Sequence, residues 1–354
     1  MFDSLEKRVF LDAVLNNIGT VTVTGSDGAD TIIVTREGDL VRVRIEPGGT
    51  DQTFSADAVK RVTVLAGDGD DLITFDDSFT QPMRLVGLGG NDTITGGAGA
   101  DTILGGEGED VIDGGRGADL IYGDEGNDTL TYASRTQPVV VFMDAIANDG
   151  EAGEGDNVDG SIDTIFGGHG ADRIDTQGQA SGKAIYGNDG NDTLTGGDGN
   201  DRLNGGFGEN HLRGAAGDDD LLGRTDRDVF HGDAGIDSVT YYYVDSAAGA
   251  VSVVLNGRSV SGAPGERDAI RDDVENVIGT NFDDSLTGSD APNVITGLNG
   301  NDTITGLGGI DSLFGDDGND SFITTGGTGT DEDEIDGGAG SNTVDGLPLV
   351  PGTP

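Results

Sequence analysis

The chain has 354 residues, of which only 34% are hydrophobic and 65 are Gly, so the thick core of an ordinary globular domain is not expected. A formal net charge of −47 without basic clusters excludes a nucleic-acid groove, and the same charge repels anionic membrane surfaces. The absence of Cys excludes disulfides and thiol catalysis, and no apolar run is long enough for a membrane span. A divalent cation is the simplest partner for so acidic a chain.

Segment 1–20 is interpreted as a leader or sorting segment. Its stretch Leu5-Glu6-Lys7-Arg8-Val9-Phe10-Leu11-Asp12-Ala13 resembles the Leu-Glu-Pro-Arg-x-Leu-Leu-Ser-Ala leader of some large bacterial surface proteins, with departures at Lys7, Phe10 and Asp12. The resemblance implies export to the cell surface. The alternative is an amphipathic helix packed on the next segment. Because Asp12 interrupts the apolar run, a standard signal peptide is not expected.

Segment 21–86 alternates apolar and polar residues with the period of a strand, as in Val41, Val43 and Ile45. The Glu37-Gly38-Asp39 stretch predicts a turn between two such strands. We expect β-hairpins here that cap one end of the structure that follows, because an exposed strand edge would pair with another molecule.

A nine-residue repeat then occupies three blocks. Five units fill 87–131, six run from Gly187 to Thr240 within 167–240, and five run from Gly279 to Ile323 within 279–345. Position one is Gly in all sixteen units, position four is Gly in thirteen, and position six is Asp in fourteen. Position eight is always apolar, which a flexible acidic linker would not require.

Each unit predicts a Gly-rich turn of six residues followed by a strand of three with one apolar side chain facing inward. A coil of two units places its strands on opposite sides, so units two apart share an edge and stack about 4.8 Å apart. Asp92, Asp110 and Asp128 would then line one edge, with Asp101 and Asp119 on the other. Carboxylates stacked so closely repel one another unless a cation lies between successive turns.

The pattern resembles the Gly-Gly-x-Gly-x-Asp-x-apolar-x repeat of the RTX (repeats-in-toxin, haemolysin-type) family, which implies an all-β parallel β-roll that holds Ca²⁺ with carbonyls and Asp carboxylates of two turns. Outlying copies occur at Gly25–Ile33, Ala66–Thr74, Gly167–Asp175 and Gly337–Asp345. About ten calcium ions are expected. The candidate metal ligands are Asp92, Asp101, Asp110, Asp119, Asp128, Asp172, Asp192, Asp201, Asp219, Asp228, Asp237, Asp284, Asp302, Asp311 and Asp320.

Two related insertions, 132–166 and 241–278, separate the blocks. Each contains an alternating apolar strand and then a Gly-Glu-x-Asp stretch that ends at Asp156 or Asp268. These two carboxylates are either further calcium ligands or solvated loop residues, and the second interpretation is favoured. The tail, 346–354, holds three Pro residues and is expected to be disordered.

The third block differs from the first at position four, where Phe282 and Ala291 replace Gly. Position four is predicted to be left-handed, so Phe282 should be strained there. Asn293 also removes one charge from its edge. We therefore expect the third block to need more calcium than the first.

No catalytic centre is expected. His169, His211 and His231 fall at variable repeat positions without a His-Glu-x-x-His pairing, and no Gly-x-Ser-x-Gly elbow occurs. The favoured function is a secreted or cell-surface structural or adhesive protein that folds on binding calcium, with an extracellular polysaccharide or a cell-surface component as candidate partner. The alternative is a polysaccharide-modifying enzyme, for which Tyr241-Tyr242-Tyr243 could form a sugar-stacking platform.

Overall fold

The computed structural model describes residues 12–49, 51–224, 226–241, 249–255, 257, 261–324, 333–345 and 347–349. Every regular element in these ranges is a β-strand, which confirms the all-β prediction, and they contain no helix that could cross a membrane. The chain forms two compact units, one of Met1–Ser134 with Val139–Phe166 and one of Arg135–Pro138 with Gly167–Pro354. The finer division into eight segments stays a prediction.

The strands of the first unit are short, as the repeat predicts. They are β1 Asp12–Leu15, β2 Thr20–Thr24, β3 Thr31–Glu37, β4 Leu40–Glu46, β5 Asp51–Ser55, β6 Arg61–Asp68, β7 Leu72–Phe75, β8 Met83–Gly89, β9 Thr93–Thr95, β10 Thr102–Glu107, β11 Val111–Asp113, β12 Leu120–Glu125, β13 Asp128–Thr131, β14 Val139–Phe142, β15 Gly150–Glu151, β16 Asn157–Val158 and β17 Ile162–Phe166.

In the first unit, one sheet has the order β1-β2-β6-β8-β10-β12-β16, and a second has the order β17-β13-β11-β9-β7-β3-β4-β5. Consecutive nonapeptide repeats alternate between these sheets, and each repeat strand pairs in parallel with the strand one coil away. Ile94 of β9 lies opposite Ile112 of β11, and Ile103 of β10 lies opposite Ile121 of β12. The offset of 18 residues confirms the predicted coil of two units.

The predicted N-terminal hairpin is present, because β3 pairs antiparallel with β4, and β5 extends it. Segment 21–86 also contributes directly to the roll. β2 pairs in parallel with β6, and β3 pairs in parallel with β7, since the outlying repeats there continue the stack. The leader resemblance falls mostly on residues 1–11, which lie outside the described residues; Asp12–Leu15 form β1, antiparallel to β2.

The second unit contains the remaining strands. They are β18 Arg173–Asp175, β19 Ala184–Tyr186, β20 Thr193–Thr195, β21 Arg202–Asn204, β22 His211–Ala216, β23 Asp220–Leu222, β24 Val229–Ala234, β25 Ser238–Thr240, β26 Ser252–Val254, β27 Ala269–Ile270, β28 Asn276–Ile278, β29 Ser285–Thr287, β30 Val294–Thr296, β31 Thr303–Thr305, β32 Ser312–Phe314, β33 Ser321–Ile323, β34 Glu334–Asp336, β35 Thr343–Val344 and β36 Leu347–Pro348.

These strands follow three orders: β19-β21-β23-β25-β28-β30-β32-β34, β18-β20-β22-β24-β27, and β26-β29-β31-β33-β35-β36. The same parallel offset recurs, with Leu194 opposite Leu212 and Ile304 opposite Phe322. β36 pairs antiparallel with β35, so the expectation of a disordered tail is wrong for Leu347–Pro348. Residues 350–354 lie outside the described residues.

The core of each unit is one side chain deep. All sixteen eighth-position side chains, from Ile94 to Phe322, are 0% exposed. Each contributes roughly 1.5–3 kcal/mol of burial free energy and fixes the register of its strand. The turns on either side of this layer therefore stack in a fixed alignment, and that alignment places the sixth-position carboxylates above one another.

Candidate metal sites

The sixth-position Asp residues form ladders in which one carboxylate oxygen joins successive turns. The backbone N–H of Asp92 donates to Asp110 Oδ1 at 2.8 Å, and the N–H of Asp110 donates to Asp128 Oδ1 at 3.0 Å. On the other edge, the N–H of Asp101 donates to Asp119 Oδ1 at 2.8 Å. Each Asp thus uses Oδ1 to fix the turn one coil before its own.

Six such ladders are present in the described residues, and each stands within one unit. The first unit holds ladder 1 (Asp30, Asp71, Asp92, Asp110, Asp128, Asp163) and ladder 2 (Asp101, Asp119, Asp156). The second unit holds ladder 3 (Asp172, Asp192, Asn210, Asp228, Asp268), ladder 4 (Asp201, Asp219, Asp237, Glu275), ladder 5 (Asp284, Asp302, Asp320, Asn342) and ladder 6 (Asn293, Asp311, Asp333).

The second oxygen, Oδ2, has a different environment. It is buried and has no hydrogen-bond partner in Asp71, Asp92, Asp110, Asp119, Asp128, Asp192, Asp219, Asp228, Asp237, Asp302 and Asp320. All of these side chains are exposed by 3% or less. A buried carboxylate oxygen without a donor is costly, because it has lost its water and gained nothing in return. These oxygens point to a missing positive partner.

The space beside each Oδ2 is open because position one is Gly. A Cβ added to Gly187 would lie 2.6 Å from the carbonyl oxygen of Gly205 in the next turn and still closer to Asp192 Oδ2. At Gly105, the corresponding atoms are the Gly123 carbonyl oxygen, at 2.7 Å, and Asp110 Oδ2. At position one, a carboxylate oxygen of the same turn and a carbonyl oxygen of the next turn thus lie on either side of the place where a Cβ would stand. Any side chain would fill this space, which explains why position one is Gly in every repeat.

Position four is Gly because the turns approach closely there. Gly108 and Gly126 adopt φ values of +132° and +141°, and a Cβ on Gly126 would collide with the Gly108 carbonyl oxygen. Position two is also left-handed in most turns that follow another turn of a ladder, even where it is Leu88 or Leu298 (φ +87° and +75°). Sequence reasoning missed this feature, because position two varies among Gly, Leu, Asp, Asn, Ala, Arg, Thr and Ser.

The expected strain at Phe282 is wrong, because neither Phe282 nor Ala291 has a positive φ. Both lie in the first turn of their ladder. In these two turns the backbone N–H of the fourth residue donates to the hydroxyl oxygen at position two. The Phe282 N–H donates to Thr280 Oγ1 and the Ala291 N–H donates to Ser289 Oγ, both at 3.1 Å. This local turn replaces the left-handed conformation.

First turns also satisfy their own carboxylate. The N–H of the second residue donates to Oδ2 of Asp172 and Asp284, each at 2.6 Å, and to Oδ2 of Asp201 at 2.5 Å. The proposed ligands therefore form two groups, those whose Oδ2 is held by its own turn and those whose Oδ2 is unpaired. Sequence could have shown this difference through the Ser or Thr at position two of several first turns, Ser26, Thr280 and Ser289.

The ladders also contain residues that lie outside the sixteen nonapeptide repeats. Asp30 and Asp71 come from outlying copies, while Asp163, Glu275 and Asp333 come from segments outside the sixteen units. Asp156 and Asp268 are 0% exposed, so the favoured interpretation of them as solvated loop residues is wrong. Each occupies a ladder position because its turn stacks on the preceding repeat.

The side chains that converge at each point are too few to hold a metal ion alone. No three His, Asp or Glu side chains come together at metal-binding geometry within the described part of the chain. Ca²⁺ takes six to eight oxygen ligands and accepts backbone carbonyls readily. Two ladder carboxylates together with the turn carbonyls beside position-one Gly fit that requirement, and the donor set contains oxygen only.

The profile of the RTX calcium-binding nonapeptide repeat matches seven stretches that together cover a little over half of the chain: 84–112, 99–130, 159–180, 184–212, 204–239, 278–313 and 296–331. The chain belongs to this RTX family. A search of curated proteins gave no match. The matched stretches contain all fifteen predicted RTX ligands, whose individual roles stay predictions.

The pKa values of the buried carboxylates show how unfavourable their charges are in RTX ladders without a cation. The pKa of Asp92, Asp192 and Asp219 is raised to about 7 in each case. Burial is the largest cause and the charges of neighbouring carboxylates add to it, while a backbone hydrogen bond lowers the pKa. The pKa of Asp119 is raised to about 9 by burial and by the charges of Asp156, Asp101 and Glu154. At neutral pH a metal-free RTX ladder would hold protons, which a divalent cation displaces.

The metal-free RTX fold should therefore respond to acid. Raised folded-state pKa values make protonation favour the fold, so this contribution is complete below about pH 4 and is lost as pH rises through about 6 to 9. Circular dichroism in excess chelator should show more β-structure at pH 4.5 than at pH 9. A metal-free spectrum that is unchanged or less ordered in acid would contradict this expectation.

Removing one unpaired oxygen should weaken calcium binding where removing an exposed charge does not. Asp110→Asn keeps the Oδ1 hydrogen bond but loses the Oδ2 charge, and we expect a several-fold rise in the calcium midpoint of folding. Glu107→Gln, on the same turn but exposed, is the matched control and should leave the midpoint unchanged or slightly lower. Equal midpoints for the two variants would show that Asp110 has no ligand role.

Proposed function

We propose that this protein is a secreted or cell-surface structural protein that folds on binding about ten calcium ions and then presents its roll for adhesion. The observation that supports it most is the column of buried, unpaired Oδ2 atoms beside carbonyls of the next turn. When its carboxylates are ionised, such a column is stable only if positive charge lies between the turns. Folding of the roll therefore requires calcium.

Affinity and location are linked in this proposal. Sites of this oxygen type in extracellular modules bind calcium with dissociation constants of about 10⁻⁴–10⁻³ M. At roughly 1 mM calcium each site would add about 0.4–1.4 kcal/mol, and many sites together would match the stability of a typical domain. A protein with this dependence stays unfolded where calcium is scarce and folds where it is abundant, which suits export followed by folding outside the cell.

The enzyme alternative has no observation in its favour among the described residues. Tyr241 is 0% exposed, and its hydroxyl donates to Asp268 Oδ2 at 2.9 Å, so its ring does not present a sugar-stacking face. Tyr242 and Tyr243 lie outside the described residues. The three His residues lie in separate elements, His169 in a turn, His211 in β22 and His231 in β24, and His169 pairs with Asp189 at 2.7 Å on the surface.

Calcium titration tests the folding part of the proposal. Far-ultraviolet circular dichroism at pH 8 should change from an unfolded spectrum in chelator to a β-spectrum over about 0.1–1 mM calcium, with isothermal titration calorimetry giving a stoichiometry near ten. Magnesium at the same concentrations should not substitute, because it demands a tighter octahedral site. A native β-spectrum in excess chelator at pH 8 would contradict the proposal.

The adhesive part needs a separate measurement. Beads coated with the protein should aggregate, or bind a matrix of extracellular polysaccharide, in millimolar calcium and should release when chelator is added. Beads coated with heat-denatured protein provide the control. If folded, calcium-loaded protein neither self-associates nor binds polysaccharide or cells, the adhesive role is wrong, while calcium-dependent folding stands.

A further inference from the structure

The two insertions contain a turn with its own repeated pattern. It spans seven residues instead of six, as Gly150–Asp156 (GEAGEGD) and Gly262–Asp268 (GAPGERD). Both copies have Gly at the first and fourth places, Glu at the fifth and Asp at the seventh. Both lie outside the stretches that match the RTX profile. The duplication shows that the chain uses the same turn at two places.

Each of these turns continues a ladder. The N–H of Asp119 donates to Asp156 Oδ1 at 2.9 Å, and the N–H of Asp228 donates to Asp268 Oδ1 at 2.9 Å. The geometry is that of two stacked repeat turns. Below each insertion turn, the Oδ2 atoms of Asp119 and Asp228 are buried and have no hydrogen-bond partner. The Asp119 and Asp228 side chains are 1% and 0% exposed.

On the side away from Asp119 or Asp228, a tyrosine hydroxyl covers the Asp carboxylate of each insertion turn. The Tyr132 hydroxyl donates to Asp156 Oδ2 at 3.0 Å, and the Tyr241 hydroxyl donates to Asp268 Oδ2 at 2.9 Å. In a repeat turn, the corresponding oxygen faces the next turn and is unpaired. In each insertion a tyrosine hydroxyl thus occupies the place where the next cation of the ladder would bind, and the ladder ends there.

The Glu at the fifth place completes this closure. Glu154 accepts the N–H of Glu151 at 2.8 Å, and Glu266 accepts the N–H of Ala263 at 2.7 Å. In each copy the Glu oxygen and the Asp Oδ2 both lie within 2.8 Å of the point where a Cβ on Gly150 or Gly262 would stand. The insertion turn is therefore rigidly held above the unpaired oxygen.

We propose that each insertion turn completes one additional divalent-cation site, between Asp119 and Asp156 in the first unit and between Asp228 and Asp268 in the second. The ligands are Oδ2 of the lower Asp, the carboxylate of the upper Asp and turn carbonyls. Tyr132 and Tyr241 close the site from above, and Glu154 and Glu266 add negative charge nearby. This inference rests on the proposed calcium function and adds two sites that the nonapeptide pattern does not reveal.

The charge distribution supports these sites. The pKa of Asp119 is raised to about 9 and that of Asp228 to about 8, first by burial and then by the charge of the insertion-turn Asp. Glu154 and Glu266 contribute in the same direction. The buried, unpaired Oδ2 atoms of Asp119 and Asp228 thus lie beside further negative charge, which a divalent cation at each place would neutralise.

The test counts calcium ions on the full chain. Asp156→Asn/Asp268→Asn keeps the ladder hydrogen bonds, since Asn210 and Asn342 already accept such bonds in ladders, but removes the upper carboxylates. The matched control, Asp144→Asn/Asp272→Asn, removes the same charge from exposed residues of the same insertions. Calorimetry and equilibrium dialysis should show two fewer bound ions for the first variant and no change for the control. An unchanged ion count and affinity would overturn the inference.

A second pair of variants keeps the test decisive if the Asn variant does not fold. Terbium(III) bound beside Tyr132 and Tyr241 should emit when tyrosine is excited. Tyr132→Phe/Tyr241→Phe should lose most of this emission at saturating terbium, whereas the half-buried pair Tyr122→Phe/Tyr186→Phe should keep most of it. Undiminished emission from the first pair would refute the insertion sites. A wild-type chain that binds no calcium would instead refute the proposed function itself.

Discussion

The structure depends on how buried, stacked carboxylates are neutralised. Most ladder Asp residues use Oδ1 to hold the turn before their own, which leaves Oδ2 buried in most turns without a donor. Removing an ionised carboxylate from water costs several kcal/mol even after relaxation, and the neighbours one coil away carry the same charge. The chain has few cations of its own to offset this, with 19 Lys and Arg against 66 Asp and Glu. A divalent ion between turns resolves both problems at once, so binding and folding become one process.

The other sequence constraints follow from that arrangement. Position one is Gly because the ion and its two oxygens need the space of a Cβ, as at Gly105 and Gly187. Position four is Gly where successive turns bring their carbonyls together, as at Gly126. The apolar eighth position aligns the coils, but a layer one side chain deep cannot by itself offset the repulsion of the ladders. In the function proposed above, hydrophobic burial sets the register and the bound cations supply the stability.

The repeat made much of this structure predictable. A period of nine with an invariant apolar position implied coils of 18 residues, and the registers of Ile94 with Ile112 and Ile103 with Ile121 confirm it. The composition of the sites was also readable, because Asp and Gly are required there by chemistry and by space. The outlying copies in segment 21–86 were recognisable as repeats, although their strands were expected to form only hairpins.

What the sequence did not reveal depends on contacts between distant turns. Phe282 was expected to be strained because its place in the nonapeptide is usually Gly, yet its φ is not positive and its N–H donates to Thr280 of the same turn. Asp156 and Asp268 were assigned to solvated loops because a seven-residue turn falls outside the nine-residue frame. Only stacking shows that each of these turns continues a ladder and that Tyr132 or Tyr241 closes it.

The most direct measurement is a crystal structure of the full chain loaded with a lanthanide, with ions located by anomalous scattering. The account predicts peaks between successive turns, each beside an Oδ2 that is unpaired in the metal-free ladder and a position-one carbonyl, such as Asp110 Oδ2 with the Gly123 carbonyl oxygen. Peaks confined to exposed carboxylates, with these ladder oxygens still unligated in the folded protein, would contradict it.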